Sequence, residues 1–416
     1  MNQSWKYVPF RELFVWKGKS KIKSGDGSQT GKYKMFVCSD SETKRYDECL
    51  ECAESIVFGT GGKASCHYVN EPFAYSTDCI VAQAKTSEMH MKFYYYFFRQ
   101  KNLAEIQKTF TGSGLQHTSK KKIESLQIPV CDLKEQQLIV TKIEELFSKL
   151  DKGVEELNKI KELLKIYRQA VLKEAFEGNL TETWRKTNII DIRDDFEKIR
   201  KKEYAIENTF KILVESLPTG WIAVHIGEIF DVEVGATPRR NIDEYWNGEI
   251  CWVSSGEVRF NSIINTKEKL TQAGVENSST NIHPIGTVLL AMIGEGKTRG
   301  QAAILNVPAA HNQNTAAILV SKTPCSSKYI YYYFLYTYEN TRRVGSGNNQ
   351  KALNKDRVKS LVIPFTSFDE QNEIVKEIEA RLSVCDKIEQ TVNESLQKAE
   401  SLRQSILKQA FEGKLV

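Results

Sequence analysis

Residues 126–180 of this chain can be written over residues 361–415 without a gap, and 22 of those 55 positions are identical. The identities include Ile128/Ile363, Pro129/Pro364, Glu135-Gln136/Glu370-Gln371, Asp151/Asp386 and Arg168-Gln169/Arg403-Gln404, and both blocks close on Ala-Phe-Glu-Gly-x-Leu. The likeness extends upstream, where "TGSGLQHTSKKKIESLQIP" faces "VGSGNNQKALNKDRVKSLVIP" with two residues inserted. Further up, "FYYYFF" faces "IYYYFL" and "WKYVPFRELF" faces "WIAVHIGEIF". A chain built twice over must fold as two versions of one unit, which favours a pseudo-two-fold arrangement.

The repeated tails carry the period of long helices. Ile139, Ile143, Leu146, Leu150, Val154, Leu157, Leu164, Tyr167 and Val171 follow a helical spacing, while Ile378, Cys385, Val392, Ala399 and Ile406 recur every seventh residue as a coiled-coil seam. Asp132 with Glu135, and Ser367 with Glu370, predict capping boxes at the two starts. The glycine of each Phe-Glu-Gly predicts a left-handed C-terminal cap. Rods of this kind have no core of their own, so the two helices are expected to pack together.

The intervening segments read as mixed α/β with short strands. "ESIVFGTGGKAS" and "GTVLLAMIGEGKTRG" are apolar runs that end in glycine-rich basic tips. "YIYYYFLYTY" has aromatics on every face and reads as a buried helix rather than a base-stacking platform. Residues 181–217 are charged and polar and read as a linker with some helix.

At 416 residues the chain has room for two or three domains, and 41% hydrophobic with 27% charged residues is ordinary for a soluble protein. It has no apolar run of about 18 residues and no signal-peptide core, so a cytoplasmic protein without membrane contact is expected. Nine irregularly spaced cysteines fit reduced thiols. The net charge is +5, and the basic excess lies in residues 1–132 and 218–365 while the repeated tails are neutral or acidic. That distribution suits two modules meeting a polyanion on a scaffold that does not.

Catalysis has no visible home. "AMIGEGKT" has Ala291 where a phosphate-binding loop needs glycine, so it reads as a basic hairpin tip. "FGTGG" departs from the F-x-G-x-G loop of S-adenosylmethionine enzymes at Thr60, and no D/N-P-P-Y/F tetrapeptide accompanies it. Cys49, Cys52, Cys66 and His67 could ligate zinc, but no such set recurs in the second half and the last two are adjacent, so a metal is not expected. No acidic nuclease cluster or serine nucleophile elbow is present. The expected catalytic residues, cofactors and metals are none.

DNA contact has several candidate homes. In the first half these are Lys19, Lys21, Lys23, Lys32 and Lys34 among glycines and serines, Lys63 at a tip, and Gln116, His117 and Lys120 in the Gly-Ser-Gly loop. In the second half they are Thr237, Arg239 and Arg240, Ser254 and Ser255, Lys297, Thr298 and Arg299, Asn312 and Gln313, and Asn348, Asn349, Gln350 and Lys351. Lysine in such loops can follow phosphates, while Arg, Asn and Gln form bidentate contacts to guanine and adenine edges.

Taken in order, several motifs make the chain resemble the specificity subunits of type I restriction-modification systems over essentially its whole length. They are Leu217-Pro218-x-Gly220-Trp221, Gly235-x-Thr237-Pro238, Trp252 with Ser254-Ser255-Gly256, Asn312-Gln313-Asn314, the Gly-Ser-Gly loops, the Ile-Pro before each Glu-Gln, and the closing Ala-Phe-Glu-Gly-x-Leu. The first half lacks the Gly-x-Thr-Pro turn and resembles a different subclass. The resemblance implies an α+β fold with two mixed α/β target recognition domains, at 1–132 and 218–366. Two long antiparallel coiled-coil helices, at 133–180 and 367–416, would join them. It further implies that each domain reads half of an asymmetric bipartite site in double-stranded DNA, with the helices setting the spacer. The implied partners are two modification (methyltransferase) subunits and restriction (translocase/endonuclease) subunits, with the chain itself non-catalytic. On the residues alone, a non-catalytic coiled-coil scaffold or a degenerate NTPase or methyltransferase stays open.

Overall fold

The computed structural model describes residues 5–40, 43–188, 192–201, 217–294, 296–343 and 353–416, excluding the side chains of residues 43, 101, 102, 194, 195 and 343. The chain folds as two compact units, Met1–Ile160 with Thr391–Val416, and Lys161–Gln390.

Along the first unit run β1 (Lys6–Pro9), β2 (Phe14–Trp16), β3 (Tyr33–Phe36), β4 (Thr43–Tyr46) and β5 (Ser55–Gly59). They are followed by β6 (Cys66–Val69), β7 (Phe73–Tyr75), β8 (Cys79–Ala84) and β9 (Gln127–Val130). Strand β1 pairs antiparallel with β9, Lys6 opposite Val130 and Pro9 opposite Gln127. Between them lie a four-stranded sheet, β2-β8-β5-β6, and a three-stranded sheet, β4-β3-β7, in which β3 and β7 are parallel. The run Ser55–Gly59 is buried at every position, as a strand covered on both faces must be.

The second unit repeats this plan. Its strands are β10 (Ile222–His225), β11 (Val232–Val234), β12 (Trp246–Val253), β13 (Asn261–Ile263) and β14 (Glu268–Leu270). Then come β15 (Val288–Ala291), β16 (Ala302–Leu305), β17 (Ala309–His311), β18 (Thr315–Ile318) and β19 (Val362–Phe365). Strand β10 pairs with β19, the larger sheet runs β11-β18-β15-β16-β13, and the smaller runs β14-β12-β17 with β12 parallel to β17. The first half, though shorter and without the Gly-x-Thr-Pro turn, keeps this strand order and lacks a counterpart of edge strand β13 among the described residues.

The two long helices, Leu133–Phe176 and Phe368–Phe411, are 44 residues each, about 66 Å. Both are divided between the units. In the first unit Ile406, Leu407, Ala410 and Phe411 share a core with Ile139, Val140 and Ile143; in the second, Val171, Leu172, Ala175 and Phe176 share one with Ile374, Val375 and Ile378. Within each unit the pairing is antiparallel. Asp151 pairs with Arg403 in one unit, and Asp386 pairs with Arg168 (2.7 Å) in the other.

The Ala-Phe-Glu-Gly ends now have a reason. Gly178 and Gly413 are left-handed at φ 77° and 70°, and the following N–H of Asn179 or Lys414 bonds back to the carbonyl of Glu174 or Gln409, closing a Schellman cap. The neighbouring phenylalanine anchors the helix. Phe411 packs on Phe93 and Phe97 of the aromatic helix Met91–Arg99, and Phe176 packs on Tyr329 and Tyr333 of the aromatic helix Ser327–Tyr336. Each recognition half is thus seated on the tail of the other half's helix.

The Glu-Gln pairs differ from the capping-box expectation. Ser367 does accept the N–H of Glu370 (3.2 Å), but the Glu370 carboxylate turns to the Trp221 indole (2.8 Å), and Glu135 likewise takes the Trp5 indole (2.9 Å). Each glutamine amide donates to the carbonyl five residues back and accepts a backbone N–H from the aromatic-helix entry, His90 for Gln136 and Ser326 for Gln371. Tyr167, expected on the seam, is 45% exposed; Arg168 points inward instead, to Asp386 and Glu389.

Candidate nucleic-acid interface

In the second unit the loop after β11 is built on its neighbours. Gly235 lies so close to β17 that an added Cβ would stand 1.9 Å from the His311 carbonyl oxygen, so only glycine fits. The Trp252 indole donates to the Ala236 carbonyl (3.1 Å) and the Trp246 indole to the Arg239 carbonyl (3.2 Å). Thr237 donates its hydroxyl to Oε1 of Gln313 (2.6 Å), joining this loop to the one after β17. Arg240 is held on three sides. Its guanidinium lies over Trp246 (4.1 Å to the centroid) and Trp252 (5.1 Å), and it makes a forked pair with Glu268.

The polar residues around it divide by burial. Asn312 is buried and its side-chain oxygen accepts the Asn314 N–H (3.1 Å), while Gln313 is exposed. The Ser254 hydroxyl is taken by Glu257 (2.8 Å), and Ser255 is half-buried beside it. The tip between β15 and β16 is an antiparallel hairpin, with strand rather than helix after the glycines. That is the basic tip the sequence suggests, and a phosphate-binding loop needs a following helix. Lys297 is exposed, and Thr298 and Arg299 are half-buried. The tip's backbone is held by Tyr338 on the Lys297 carbonyl and Arg342 on the Gly296 carbonyl (2.9 Å). It also meets the Gln313 loop, where the Met292 N–H reaches the Asn314 carbonyl (2.9 Å). Asn348, Asn349, Gln350 and Lys351 lie outside the described residues.

The first unit gathers a different set. Gly62 N–H bonds to the Gln116 carbonyl and Thr118 N–H to the Thr60 carbonyl (both 2.9 Å), so the Lys63 tip and the Gln116-His117 loop stand together, all three side chains exposed. Lys120 reaches the Lys17 carbonyl (3.0 Å) across the Trp16 ring. Lys19, Lys21 and Lys23 are exposed, alternating with buried Ser20 and Ile22, as an extended segment against a core would place them. Lys32 is exposed over Tyr33, and Lys34 is already paired with Glu71 (2.5 Å). The clamp residues Trp246 and Glu268 are not legible from sequence spacing; the only hint is two tryptophans close together in a segment of short strands.

A family model described as the type I restriction modification DNA specificity domain matches residues 2–163 and 218–398. The chain belongs to that family. The EcoDI specificity subunit of Escherichia coli is 22% identical over 416 residues, spanning 99% of this chain and 88% of the relative. The EcoBI specificity subunit of the same species is 25% identical over 380 residues, 87% of this chain and 74% of the relative. A chain from a solved structure concerned with assembly and conformational transition of the type I R-M system aligns at TM-score 0.71 with 15% identity, covering 100% and 99% of the two chains. The HsdS subunit from Thermoanaerobacter tengcongensis aligns at 0.56 with 14% identity, covering 99% and 97%. These structural likenesses establish the fold: paired long helices carrying two mixed α/β domains. The chain is a specificity subunit of a type I restriction-modification system, a non-catalytic component. No helix among the described residues is long and apolar enough to cross a membrane.

In this specificity subunit the four possible zinc ligands do not converge. Cys49 and Cys52 approach to 3.1 Å, but Cys66 is buried in β6, where burial pushes its thiol up, and the His67 ring is hydrogen-bonded to the Ser39 carbonyl (2.7 Å). Among the described residues no group of three or more His, Cys, Asp or Glu could hold a metal ion.

Beneath the Gln313 loop, His283 and His311 are both buried, with ring centroids 4.9 Å apart. Burial, with His283 as neighbour, pushes His311 down to about 3. Burial also lowers His283, against the opposing pull of Glu233. Both rings resist protonation when folded, and an unfolded histidine titrates near 6.5. The His311 contribution is therefore complete above pH ~6.5 and is lost as pH falls toward 3, and that of His283 is lost in the same direction. For His311 alone the loss at pH 5 is about 2 kcal/mol. Denaturant unfolding at pH 7.5 and pH 5 should show this extra loss in the parent and not in His311→Gln; equal losses would place the sensitivity elsewhere.

Proposed function

We propose that this specificity subunit reads one asymmetric bipartite sequence in double-stranded DNA. Residues 1–132 would read one half, residues 218–366 the other, and the helices 133–180 and 367–416 would set the spacer between them, with 181–217 as linker. One observation carries this reading: the two units share a frame and differ at their heads. The frame contacts recur pair by pair. Lys92 and Tyr96 meet Glu144 as Lys328 and Tyr332 meet Glu379, and the Trp–Glu, Gln and Arg–Asp contacts recur as described. Among the described residues the exposed tips share a lysine at one matched hairpin, Lys63 and Lys297, and otherwise differ: Lys19, Lys21, Lys23 and Lys32 with Gln116 and His117 in one, Arg239 and Gln313 in the other. Unlike heads on like frames suit two different half-sites.

The repeated frame also suits a partner bound twice, a modification subunit on each unit, with restriction subunits joining that core in the cytoplasm. In the first unit an open groove of about 850 Å³ runs between the aromatic helix and the long helices, lined by Tyr95, Arg99, Glu144, Phe147, Asp151 and Arg403 among others. Its aromatic rings and arginines are residue types enriched where proteins bind one another. The test is expression with the modification subunit of the same system, followed by single-molecule sequencing of modified bases. One asymmetric bipartite motif should be methylated, and the purified chain alone should methylate and cut nothing. Methylation scattered without a motif would end this reading, and salt-independent or absent DNA binding would favour a bare scaffold.

A further inference from the structure

Resting on the DNA-reading function just proposed, we propose that Arg239 and the Gln313 amide together read a guanine-containing base pair in the half-site of the second domain. Arg240 beside them does not contact DNA and acts as a positioning residue. The two adjacent arginines are both exposed, but only one of them is held. Arg240 is fixed by Glu268 and by the rings of Trp246 and Trp252. Arg239 is exposed, and among the described residues its guanidinium has no partner. The backbone that carries it is anchored on both sides, at Ala236 and at its own carbonyl, by the two indoles. On a loop fixed at its base the backbone needs no further ordering on binding, and only the Arg239 side chain remains to be placed.

The polarity of the site narrows the target. The Thr237 hydroxyl donates to Oε1 of the exposed Gln313, and among the described residues its amide N–H groups have no partner. A guanidinium has donors alone. The loop therefore presents donors and wants acceptors. Of the four base edges in the major groove, guanine offers two adjacent acceptors, N7 and O6, and arginine meets both with its fork. Adenine pairs its acceptor with a donor and is the weaker fit, because the Gln313 oxygen already spends one of its two lone pairs on Thr237.

The experiment uses the full chain with its modification subunit, measuring methylated motifs and DNA affinity at two salt concentrations. Arg239→Ala should lose discrimination at one base pair of one half-site and bind the cognate site roughly tenfold or more weakly. Affinity for unrelated DNA and the salt slope should hardly change. Arg239→Lys keeps the charge without the fork and should not restore discrimination. Thr237→Val frees the Gln313 oxygen and should admit adenine at the same position. Arg240→Ala should lower thermal stability and weaken the whole half-site rather than one position, with Arg240→Lys rescuing neither. A fall in affinity for all sequences with a flatter salt slope would make Arg239 a phosphate contact and overturn the inference. Unchanged motifs in Arg239→Ala would overturn it as well, while the DNA-reading function would stand. A parent complex without any sequence preference would remove both.

Discussion

Glu370→Ala should destabilise the second unit by about 3–5 kcal/mol, while Glu135→Ala at the equivalent position should cost about 1 kcal/mol. The two glutamates occupy the same place in the repeat and hold equivalent tryptophans, Trp221 and Trp5, yet their surroundings differ. Glu370 is 3% exposed and accepts from the Trp221 indole, the Thr181 hydroxyl (2.8 Å) and the Thr366 hydroxyl (2.5 Å). It also pairs with Arg185 (3.1 Å), whose guanidinium lies over the Trp221 ring. Removing the carboxylate leaves a largely buried cation and three donors without partners, and uncompensated burial is what makes such losses large. Glu135 is half-buried, and its described side-chain contact is the single bond to Trp5. Denaturant unfolding of the full chain gives both numbers. Equal losses would mean that the Arg185 and Thr181 contacts contribute nothing. Glu370→Gln should fall between, because it keeps the volume but sets an amide against donors.

That contrast also marks where sequence stops informing. The repeat, the helical tails and their glycine caps are local patterns, and periodicity and chirality suffice to place them; the structure has them where the residues suggest. The partner of each glutamate is not local. A capping box three residues away and a tryptophan 149 residues away compete for the Glu370 carboxylate, and nothing in the spacing favours the second. The same limit governs the loops proposed to read DNA. Arg239 and Arg240, or Asn312 and Gln313, are adjacent and alike in chemistry, yet Asn312 is buried while Gln313 is exposed, and the exposed Arg240 is held against Trp246, Trp252 and Glu268 while Arg239 is not. Tyr167 and Arg168 reverse the usual expectation for a seam because two carboxylates on the facing helix offer the arginine a partner. Cys66 and His67 show it once more: their spacing allows zinc, but the strand that carries them buries the thiol and ties the ring to a backbone carbonyl.

Lengthening both long helices by four residues should change the spacer of the methylated motif by one or two base pairs and leave both half-site sequences intact. Four residues are close to one turn, so the apolar seam returns to nearly the same face, and each rod grows by about 6 Å. The insertion points follow from the ion pairs. Asp151 faces Arg403 and Arg168 faces Asp386, so the midpoints between them, near Ile160 on one helix and Glu394 on the other, are matched positions. Insertion at unmatched points would leave a stretch of the seam out of register and destabilise the pair. About 6 Å corresponds to roughly two base pairs at ~3.4 Å each. Adding base pairs also rotates one half-site about the DNA axis, which opposes the larger change and makes one base pair the competing outcome. Sequencing of modified bases from cells carrying the variant with its modification subunit reads the spacer directly. A folded, active variant that keeps the original spacer would show that the helices do not set it. Altered half-site bases would show instead that the insertion had disturbed the recognition loops, because nothing in a longer rod changes which side chains face the bases.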